Sequence, residues 1–310
     1  MAVLVLATSA FVAQQLDALR TLAPGEAVYT DPETAPAEDI EAIIAFRMQQ
    51  GVAGRFPNLR FIACAGAGAD EILALPDMPD VPIVRPVDPL QSQRIAQYTT
   101  LMVLRFHRDL PRLEALHREG RWQRALPRDE RQTRVGVLGF GESGRSIARA
   151  LSALGFPVRA WRRSQAGAHD AGVEVLAGNE SLPRLLASSD VLVCALPLTP
   201  ATRGLIDRRA LRRLPRGAFV VDVSRGGVLD HDALLECVDD SHLAGAALDV
   251  FAREPLPDTS ALWKHPRILC TPHVAGTPRG EVAAAQFLEN LRRSRSGEPL
   301  VNVIDRARGY

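Results

Sequence analysis

The sequence has few cysteines, and they show no spacing of Cys and His residues typical of a metal or redox site. Its four cysteines lie far apart, each within an apolar stretch: Cys64, Cys194, Cys237 and Cys270. A free cysteine in apolar surroundings behaves as a small hydrophobic side chain. The sequence therefore predicts buried thiols in a reducing compartment, with no metal site and no catalytic thiol.

The chain also lacks an excess of charge and a long hydrophobic run. Its 37 Lys and Arg residues and 36 Asp and Glu residues give a formal net charge of +1, which offers no basic surface for nucleic acid or an anionic membrane. No apolar run reaches the roughly 18 residues that cross a bilayer. The apolar segment 1–10 lacks the preceding basic residues of a signal peptide and is predicted to contain a buried strand. We therefore expect a cytoplasmic protein that binds neither nucleic acid nor membrane.

The first hundred residues alternate short apolar runs with helical patterns, which is typical of a parallel sheet covered on both faces. The runs predicted to be strands are 3–6, 42–46, 60–64 and 82–84. After them, residues 91–121 carry apolar side chains at helical spacing along one face. This pattern predicts a single long helix that bridges domains or subunits.

A second series of strands and helices begins at Arg134. Its predicted strands are 135–138, 157–161, 191–196, 218–223, 245–250 and 267–271. Six strands in this alternation indicate a doubly wound, Rossmann-type dinucleotide fold. A helix predicted at 281–295 and the tail after it are expected to pack back on the first domain. We therefore predict an α/β protein with a cofactor domain at 99–281 and a smaller, discontinuous, flavodoxin-like α/β substrate domain at 1–98, completed by 282–310.

A glycine-rich turn follows the first strand of this second series. It has the spacing Gly-x-Gly-x-x-Gly at Gly139, Gly141 and Gly144, and an amphipathic helix comes after it. The first glycine permits a tight turn, the second lets the backbone approach a pyrophosphate, and the third lets helix and strand pack closely. Free N–H groups at the helix N-terminus then face the diphosphate. The strand–turn–helix context favours a nucleotide site over an ordinary glycine turn.

The end of the next strand distinguishes NADP from NAD. An NAD site has an acidic residue about 20 residues after the first glycine, where it binds the ribose 2′-hydroxyl. This chain has Arg162, Arg163 and Ser164 there instead. Two guanidinium groups and a hydroxyl suit the 2′-phosphate of NADP. NADP(H) is therefore the predicted cofactor, with NAD(H) as the alternative if these residues form only a solvated basic loop.

Four further motifs occur in a fixed order after the glycine turn, at 196–206, 222–227, 248–256 and 271–276. Together with that turn they resemble the D-isomer-specific 2-hydroxyacid dehydrogenases over most of the chain. Three more segments, 65–70, 161–164 and 305–310, are similar to the subgroup that reduces glyoxylate and hydroxypyruvate. The resemblance implies an NADPH-dependent reduction of glyoxylate to glycolate and of hydroxypyruvate to D-glycerate.

Reduction of a 2-oxo acid needs a cation for the carboxylate and a proton donor for the carbonyl oxygen. Arg225 follows the strand 218–223, at a sheet edge where a ligand crevice opens, and can bind a carboxylate through two parallel hydrogen bonds. His273 follows the last strand and suits the general acid. Glu254 can bind the other ring nitrogen and keep the ring protonated at neutral pH. These three are the predicted catalytic residues; the alternatives are a surface arginine in a turn and a structural histidine.

The resemblance assigns further residues to substrate and cofactor. It places Ala67 and Gly68 at the substrate carboxylate with Arg225 and His273, although a plain turn after the strand is the alternative for the first two. It places Asp249 near the nicotinamide, where the alternative is a helix cap. The other cofactor contacts that it implies are Phe140, Glu142, Ser143, Trp161, Leu196, Pro197, Thr202, Val223, Ser224, His273 and Ala275.

Three positions bear on the shape of the substrate pocket. Asp222 stands where the family usually has Asn, so a hydrogen bond just before Arg225 is expected to differ. Residues 46–48 replace a tryptophan-containing loop of the subgroup, and Arg47 there either favours a second anionic group or points to solvent. Trp122 either covers the pocket of a neighbouring subunit, as the resemblance implies, or packs in the ordinary way.

The leading prediction is an NADPH-dependent 2-oxo acid reductase that forms a homodimer around the helix at 91–121. One alternative keeps the chemistry but uses NAD(H) and another D-2-hydroxy acid. The second alternative is a non-catalytic, dinucleotide-sensing module of the kind found in corepressors with this fold. The intact set of Arg225, Glu254 and His273 favours turnover.

Overall fold

The computed structural model describes residues 1–7, 10–124, 126, 128–163 and 172–307. The chain divides into two compact units, Met1–Gln91 with Thr277–Tyr310 and Ser92–Gly276. The sequence predicted domain boundaries after residues 98 and 281. Each lies a few residues beyond the corresponding boundary in the structure, which follows Gln91 or Gly276. The first unit thus consists of two separate segments, with the second unit inserted between them.

The first unit contains a five-stranded sheet in which every strand pair is parallel, in the order β2-β1-β3-β4-β5. This is the strand order of flavodoxin-like folds. All residues of β1, β3 and β4 are buried, and all are apolar except Glu41. The helices α1 and α9 pack against each other. Its elements are β1 (Ala2–Leu6), α1 (Ala10–Leu22), β2 (Val28–Tyr29), β3 (Ile40–Ala45), β4 (Phe61–Cys64), α2 (Asp70–Leu73), β5 (Ile83–Val84) and, after the second unit, α9 (Gly280–Ser296).

The second unit contains a seven-stranded parallel sheet in the order β12-β11-β10-β9-β6-β7-β8. The chain starts in the middle at β6, builds outward to β8, and then returns to β9 and builds outward on the other side. This doubly wound order confirms the predicted α/β class with a Rossmann-type domain. The strands are β6 (Val135–Leu138), β7 (Val158–Arg162), β8 (Val173–Ala177), β9 (Val191–Cys194), β10 (Ala218–Asp222), β11 (Leu243–Leu248) and β12 (Ile268–Cys270).

Two strands were not predicted, because neither carries a continuous apolar run. Only two of the five residues of the edge strand β8 are buried, and β2 has only two residues, both half-buried. The remaining helices of the chain are α3 (Pro89–His107), α4 (Leu110–Arg118), α5 (Glu142–Ala153), α6 (Leu182–Ala187), α7 (Arg208–Leu211) and α8 (His231–Asp239).

The prediction of one long helix at 91–121 was wrong, because the structure has two helices there. Helix α3 ends at His107, and Asp109 adopts a left-handed conformation at φ +53° before α4 begins. Pro111 then occupies the first turn of α4. Proline has no N–H to donate and clashes with the carbonyl four residues earlier, so an uninterrupted helix cannot pass this point.

The cysteines follow the sequence prediction with one exception. Cys64, Cys194 and Cys237 are buried free thiols, and burial raises the pKa of Cys64 to about 12. Cys270 is only half-buried, because the short strand β12 lies at the edge of its sheet. Within the described residues, no cluster of His, Cys, Asp and Glu is placed to hold a metal ion. Among the helices of the described chain, none has the length and apolarity to span a membrane.

Candidate active site

The glycine turn after β6 forms a cradle at the N-terminus of α5. Gly139 lies at φ +98°, and a Cβ there would come 2.5 Å from the carbonyl oxygen of Ala195. A Cβ on Gly144 would overlap the carbonyl oxygen of Gly139, so helix and strand pack in direct contact. Gly141 is the N-cap of α5 and has no side chain to bond its first N–H groups; no described atom lies within 4 Å of its Cβ position. This open space above free N–H groups fits a dinucleotide diphosphate.

The remaining residues of this turn differ in exposure. Phe140 is buried, with the Arg145 guanidinium 5.4 Å from its ring centre. Glu142 is exposed and Ser143 half-buried, and both belong to the first turn of α5. These two polar side chains therefore border the open N-terminus, whereas Phe140 supports the turn from within the core.

The end of β7 lies beside the glycine turn. The N–H of Gly139 donates to the carbonyl oxygen of Trp161 at 2.9 Å. The indole of Trp161 is 1% exposed and donates to the carbonyl oxygen of Gly178 at 2.9 Å, so it holds β7 in place from the core. Arg162 is half-buried and Arg163 exposed directly after it. Ser164, the third residue predicted to bind the 2′-phosphate, lies outside the described residues.

The segment after β9 is a closed turn. The hydroxyl of Thr202 donates to the carbonyl oxygen of Pro197 at 2.6 Å and accepts the N–H of Thr199 at 2.8 Å. Leu196 and Thr202 are buried, and Pro197 is half-buried. The Thr202 hydroxyl therefore stabilises the turn itself, and Pro197 is its more accessible member.

Arg225 lies on a turn that Asp222 stabilises at the end of β10. Oδ1 of Asp222 accepts the N–H of Ser224 at 3.0 Å and its hydroxyl at 2.5 Å. Val223 and Ser224 are buried, whereas Arg225 is half-buried and donates from Nη1 to the carbonyl oxygen of Ser224 at 2.8 Å. A Cβ on Gly226 would overlap the carbonyl of Phe251, so this turn runs directly against the segment that follows β11.

His273 and Glu254 form a hydrogen-bonded pair. Nδ1 of His273 lies 2.9 Å from Oε2 of Glu254, and Oε1 of Glu254 accepts the N–H of Phe251 at 2.9 Å. The two side chains are 33% and 22% exposed, so a reactant can reach them. His273 has φ +55°, a left-handed conformation that few side chains adopt, and its N–H bonds the carbonyl oxygens of Asp249 and Thr271. A ring held through Nδ1 presents Nε2 to the reactant.

Asp249 stabilises the loop that carries His273. Its side chain is buried, and the residue is 1% exposed. Its Oδ1 accepts hydrogen bonds from the Thr271 hydroxyl at 2.6 Å and from the Val274 N–H at 2.9 Å. Its Oδ2 accepts a hydrogen bond from the Ala275 N–H at 2.8 Å. These N–H groups belong to the loop after β12, so Asp249 is not the helix cap that was its alternative. Its place near a nicotinamide stays a prediction.

Tyr98 and Thr271 belong to the same hydrogen-bond network, and neither was predicted. The Tyr98 hydroxyl, from α3, lies 2.6 Å from the Thr271 hydroxyl, and burial raises the pKa of Tyr98 to about 12. The two residues are 173 positions apart, so no local pattern could have joined them. Thr271 could have been suspected from its place in the motif at 271–276.

In the first unit, Ala67 and Gly68 lie in the loop between β4 and α2. The Gln15 side chain donates to the carbonyl oxygen of Ala65 at 2.6 Å, and a Cβ on Gly66 would lie 3.3 Å from the Phe46 ring. The loop is therefore fixed by α1 and by the end of β3. Among the described residues, none accepts a hydrogen bond from the N–H of Ala67 or Gly68, so both groups can bind an anion.

Arg47 and Trp122 occupy exposed positions. The Arg47 guanidinium pairs with Glu71 of α2 at 2.9 Å and lies 5.8 Å from the Phe46 ring centre, so it is bound to the loop region rather than free in solvent. Trp122 is 92% exposed, which contradicts an ordinary packing role among the described residues.

A model of the family described as "D-isomer specific 2-hydroxyacid dehydrogenase, NAD binding domain" matches residues 100–275 of this chain. A glyoxylate/hydroxypyruvate reductase A from Escherichia fergusonii is 38% identical over 265 residues, a match that covers 84% of each chain. The family match therefore covers the whole stretch that carries the glycine turn, Arg225, Glu254 and His273.

Two solved structures are similar over the full chain. A D-isomer specific 2-hydroxyacid dehydrogenase from Xanthobacter autotrophicus, in complex with NADPH and MES, is 40% identical with a TM-score of 0.91, and the match covers 100% of this chain and 99% of that one. An NADPH-dependent glyoxylate/hydroxypyruvate reductase from Sinorhizobium meliloti, in complex with NADP and sulfate, is 32% identical with a TM-score of 0.91 and 100% coverage of both.

Proposed function

The chain belongs to the D-isomer specific 2-hydroxyacid dehydrogenases, and from that premise we propose that it reduces glyoxylate or hydroxypyruvate with NADPH. The products are glycolate and D-glycerate. The observation that carries the proposal is the His273–Glu254 pair, which follows the strands of the same sheet edge as Arg225 and the glycine turn. Relatives named for this activity, one of them bound to NADP, support it.

The substrate is bound by its carboxylate. The Arg225 guanidinium holds the two carboxylate oxygens through parallel hydrogen bonds, which fixes the plane of the 2-oxo acid. Bound NADPH supplies the hydride that the carbonyl carbon receives.

The proton comes from His273. As the carbonyl carbon is reduced, negative charge develops on its oxygen, and the imidazolium donates its Nε2 proton there as the general acid. Glu254 accepts the Nδ1–H, which fixes the ring orientation and stabilises the positive charge that the ring carries before transfer. Asp249 holds the His273 loop in place through Thr271, Val274 and Ala275.

We expect a strong preference for NADPH, because Arg162 ends the strand β7, which hydrogen-bonds to the glycine turn, and Arg163 follows it. A hydrogen bond to a charged group contributes about 1.5–3 kcal/mol. Losing two such bonds should therefore raise the KM for NADPH on the order of a hundredfold. In the double variant Arg162→Ala/Arg163→Ala, the KM for NADPH should rise far more than the KM for NADH, as measured by initial rates with each cofactor.

The control for this variant is Arg184→Ala. Arg184 is an exposed arginine of the same unit whose guanidinium pairs with Glu174, away from the glycine turn. It should leave both KM values at the parent level. Equal losses for NADPH and NADH in the double variant would refute the 2′-phosphate assignment and favour the NAD(H) alternative.

We also propose that the protein is a homodimer, and that α3, α4 and the segment after α4 form the interface. This region exposes large apolar side chains: Leu101 is 55%, Leu110 39%, Trp122 92% and Leu126 96% exposed. Light scattering at micromolar concentration should give twice the chain mass of 33.7 kDa, and the double variant Trp122→Ala/Leu126→Ala should lower it. A parent protein at the monomer mass would contradict the proposal.

The cytoplasm is the proposed location of this reaction. Three buried free thiols suit a reducing compartment, in which NADPH is also available as a reductant. The formal net charge of +1 gives no excess of basic residues that would hold the protein at an anionic membrane surface.

A further inference from the structure

Asp222 is a fully buried carboxyl group with only one of its oxygens satisfied. Oδ1 accepts two hydrogen bonds from Ser224, whereas Oδ2 receives none from the described residues although it is buried. An ionised carboxylate normally has hydrogen-bond donors on both oxygens when it is buried, because an unsatisfied buried charge is costly. Asp249, one strand away, shows that pattern with three donors on its two oxygens. Hydrogen bonds therefore stabilise a charge on both oxygens of Asp249 but on only one oxygen of Asp222.

The groups that face Asp222 do little to stabilise a negative charge on its side chain. Directly after β11, Asp249 brings a negative charge, and its N–H donates to the carbonyl oxygen of Asp222 at 3.0 Å. From β9, the register partner is Cys194, whose thiol is fully buried and stays neutral because burial raises its pKa. Arg225, on the turn that follows, is the one positive charge that acts on Asp222 among these groups. Together these effects raise the pKa of Asp222 to about 7: burial is the largest cause and Asp249 adds to it, whereas the Ser224 donors and Arg225 act in the opposite direction.

We propose that Asp222 is a positioning residue that works in its neutral form: with its proton it leaves the Arg225 guanidinium to the substrate carboxylate, and loss of that proton draws the guanidinium away from the substrate. This inference rests on the proposed reduction of 2-oxo acids, because Arg225 is there the carboxylate-binding residue. The hydroxyl and N–H of Ser224 bond Oδ1 in either state, so the turn itself persists.

The charge on the second oxygen is what changes. Once ionised, Asp222 is a buried anion with an unsatisfied oxygen, and Arg225 is the cation within its electrostatic reach. The guanidinium is then drawn toward Asp222 and partly neutralised, at the expense of the substrate carboxylate. Substrate binding should therefore weaken as the pH rises through the transition of Asp222.

The test is the steepness of the alkaline limb of kcat/KM. If a proton on Asp222 is needed, its loss should make kcat/KM of the parent fall by a further factor of about ten per pH unit above the Asp222 transition. In Asp222→Asn, which is neutral at every pH, this further tenfold fall per unit should be absent. Asp240→Asn is the matched control: Asp240 is an exposed aspartate that pairs with Arg212, and this variant should keep the parent's steep limb. Equal slopes in the parent and Asp222→Asn would overturn the proposal.

Ser224→Ala gives a second variant in case Asp222→Asn does not fold. It removes a hydroxyl that stabilises the ionised form of Asp222. Asp222 should then lose its proton at higher pH than in the parent. An Asp222 transition at the same or a lower pH would count against the inference.

Thermal unfolding tests the proton on Asp222 without any substrate. The folded protein holds this proton up to a pKa of about 7, whereas an unfolded aspartate titrates near 4. The parent therefore loses stability as the pH rises from about 4 to about 7, whereas Asp222→Asn has no such loss. The difference in Tm, variant minus parent, should be larger at pH 8 than at pH 5. A pH-independent difference would overturn the inference. If no 2-oxo acid is reduced, the proposed function fails, while this measurement still decides whether Asp222 is neutral.

Discussion

Replacing His273 with alanine should lower kcat for 2-oxo acid reduction by about 10²–10⁴-fold, the usual contribution of a general acid. The alkoxide oxygen would then have to take its proton from water. NADPH binding should persist in this variant, because the cradle at Gly139–Gly144 is built from β6 and α5 and does not depend on the ring. Initial rates and a fluorescence titration with NADPH measure the two quantities separately.

His265→Ala is the matched control for this variant. His265 lies in the same unit and pairs with Asp239 at 3.2 Å, away from the proposed site, so its removal should leave the rate near that of the parent. Near-parent activity in His273→Ala would remove the mechanism. Loss of NADPH binding in His273→Ala would instead show that the effect is structural.

Glu254→Gln separates the roles of the pair. The amide can still bond Nδ1 and the N–H of Phe251, but it lacks the charge that stabilises the imidazolium. Reduction should therefore slow, because the imidazolium that donates the proton is less stabilised, whereas the KM for NADPH should stay near that of the parent. Initial rates with varied 2-oxo acid and varied NADPH measure both, and a parent-level kcat/KM in Glu254→Gln would show that Glu254 does not stabilise the acid.

Arg225→Ala should have the second large effect. Truncating one partner of a buried, hydrogen-bonded charge pair costs about 2–5 kcal/mol, so kcat/KM for the 2-oxo acid should fall by a factor of about 30 to 4,000. Unlike His273→Ala, this variant should raise the KM for the 2-oxo acid as well as lower kcat, because the carboxylate loses its bidentate partner. Steady-state kinetics with varied 2-oxo acid at saturating NADPH measure both constants.

Two variants check this interpretation of Arg225. Arg225→Lys keeps the charge but not the planar fork, so its kcat/KM should lie between those of the parent and Arg225→Ala. Arg216→Ala removes an exposed arginine of the same unit and should match the parent. An Arg225→Ala enzyme with the parent's KM for the 2-oxo acid would contradict carboxylate binding.

Those parts of the fold that have a continuous apolar run were predictable from the sequence. The central strands β1, β6 and β9 are buried on both faces, so each shows as an uninterrupted apolar segment. The edge strand β8 half-faces solvent and shows no such run. The break between α3 and α4 had a visible signal in Pro111, but the apolar stripe on either side of it outweighed that signal.

The site divides in the same way. The glycine turn, Arg225 and His273 could be identified from short sequence motifs, because each directly follows a predicted strand. The structure then places His273 in contact with Glu254. The contacts of Tyr98 with Thr271, and the unsatisfied oxygen of Asp222, arise only when distant strands and helices meet. No sequence pattern encodes such contacts, because they depend on the packing of several elements.

The most direct test of the proposed activity is the loss of NADPH absorbance when a 2-oxo acid is added to the purified protein. Glyoxylate, hydroxypyruvate, pyruvate, oxaloacetate and 2-oxoglutarate, each assayed with NADPH and with NADH, distinguish the proposed substrates from others and NADP from NAD. We predict rapid oxidation of NADPH with glyoxylate or hydroxypyruvate, and much slower oxidation of NADH. A protein that binds NADPH but oxidises it with none of these acids would contradict the proposed enzyme and favour a dinucleotide-sensing module.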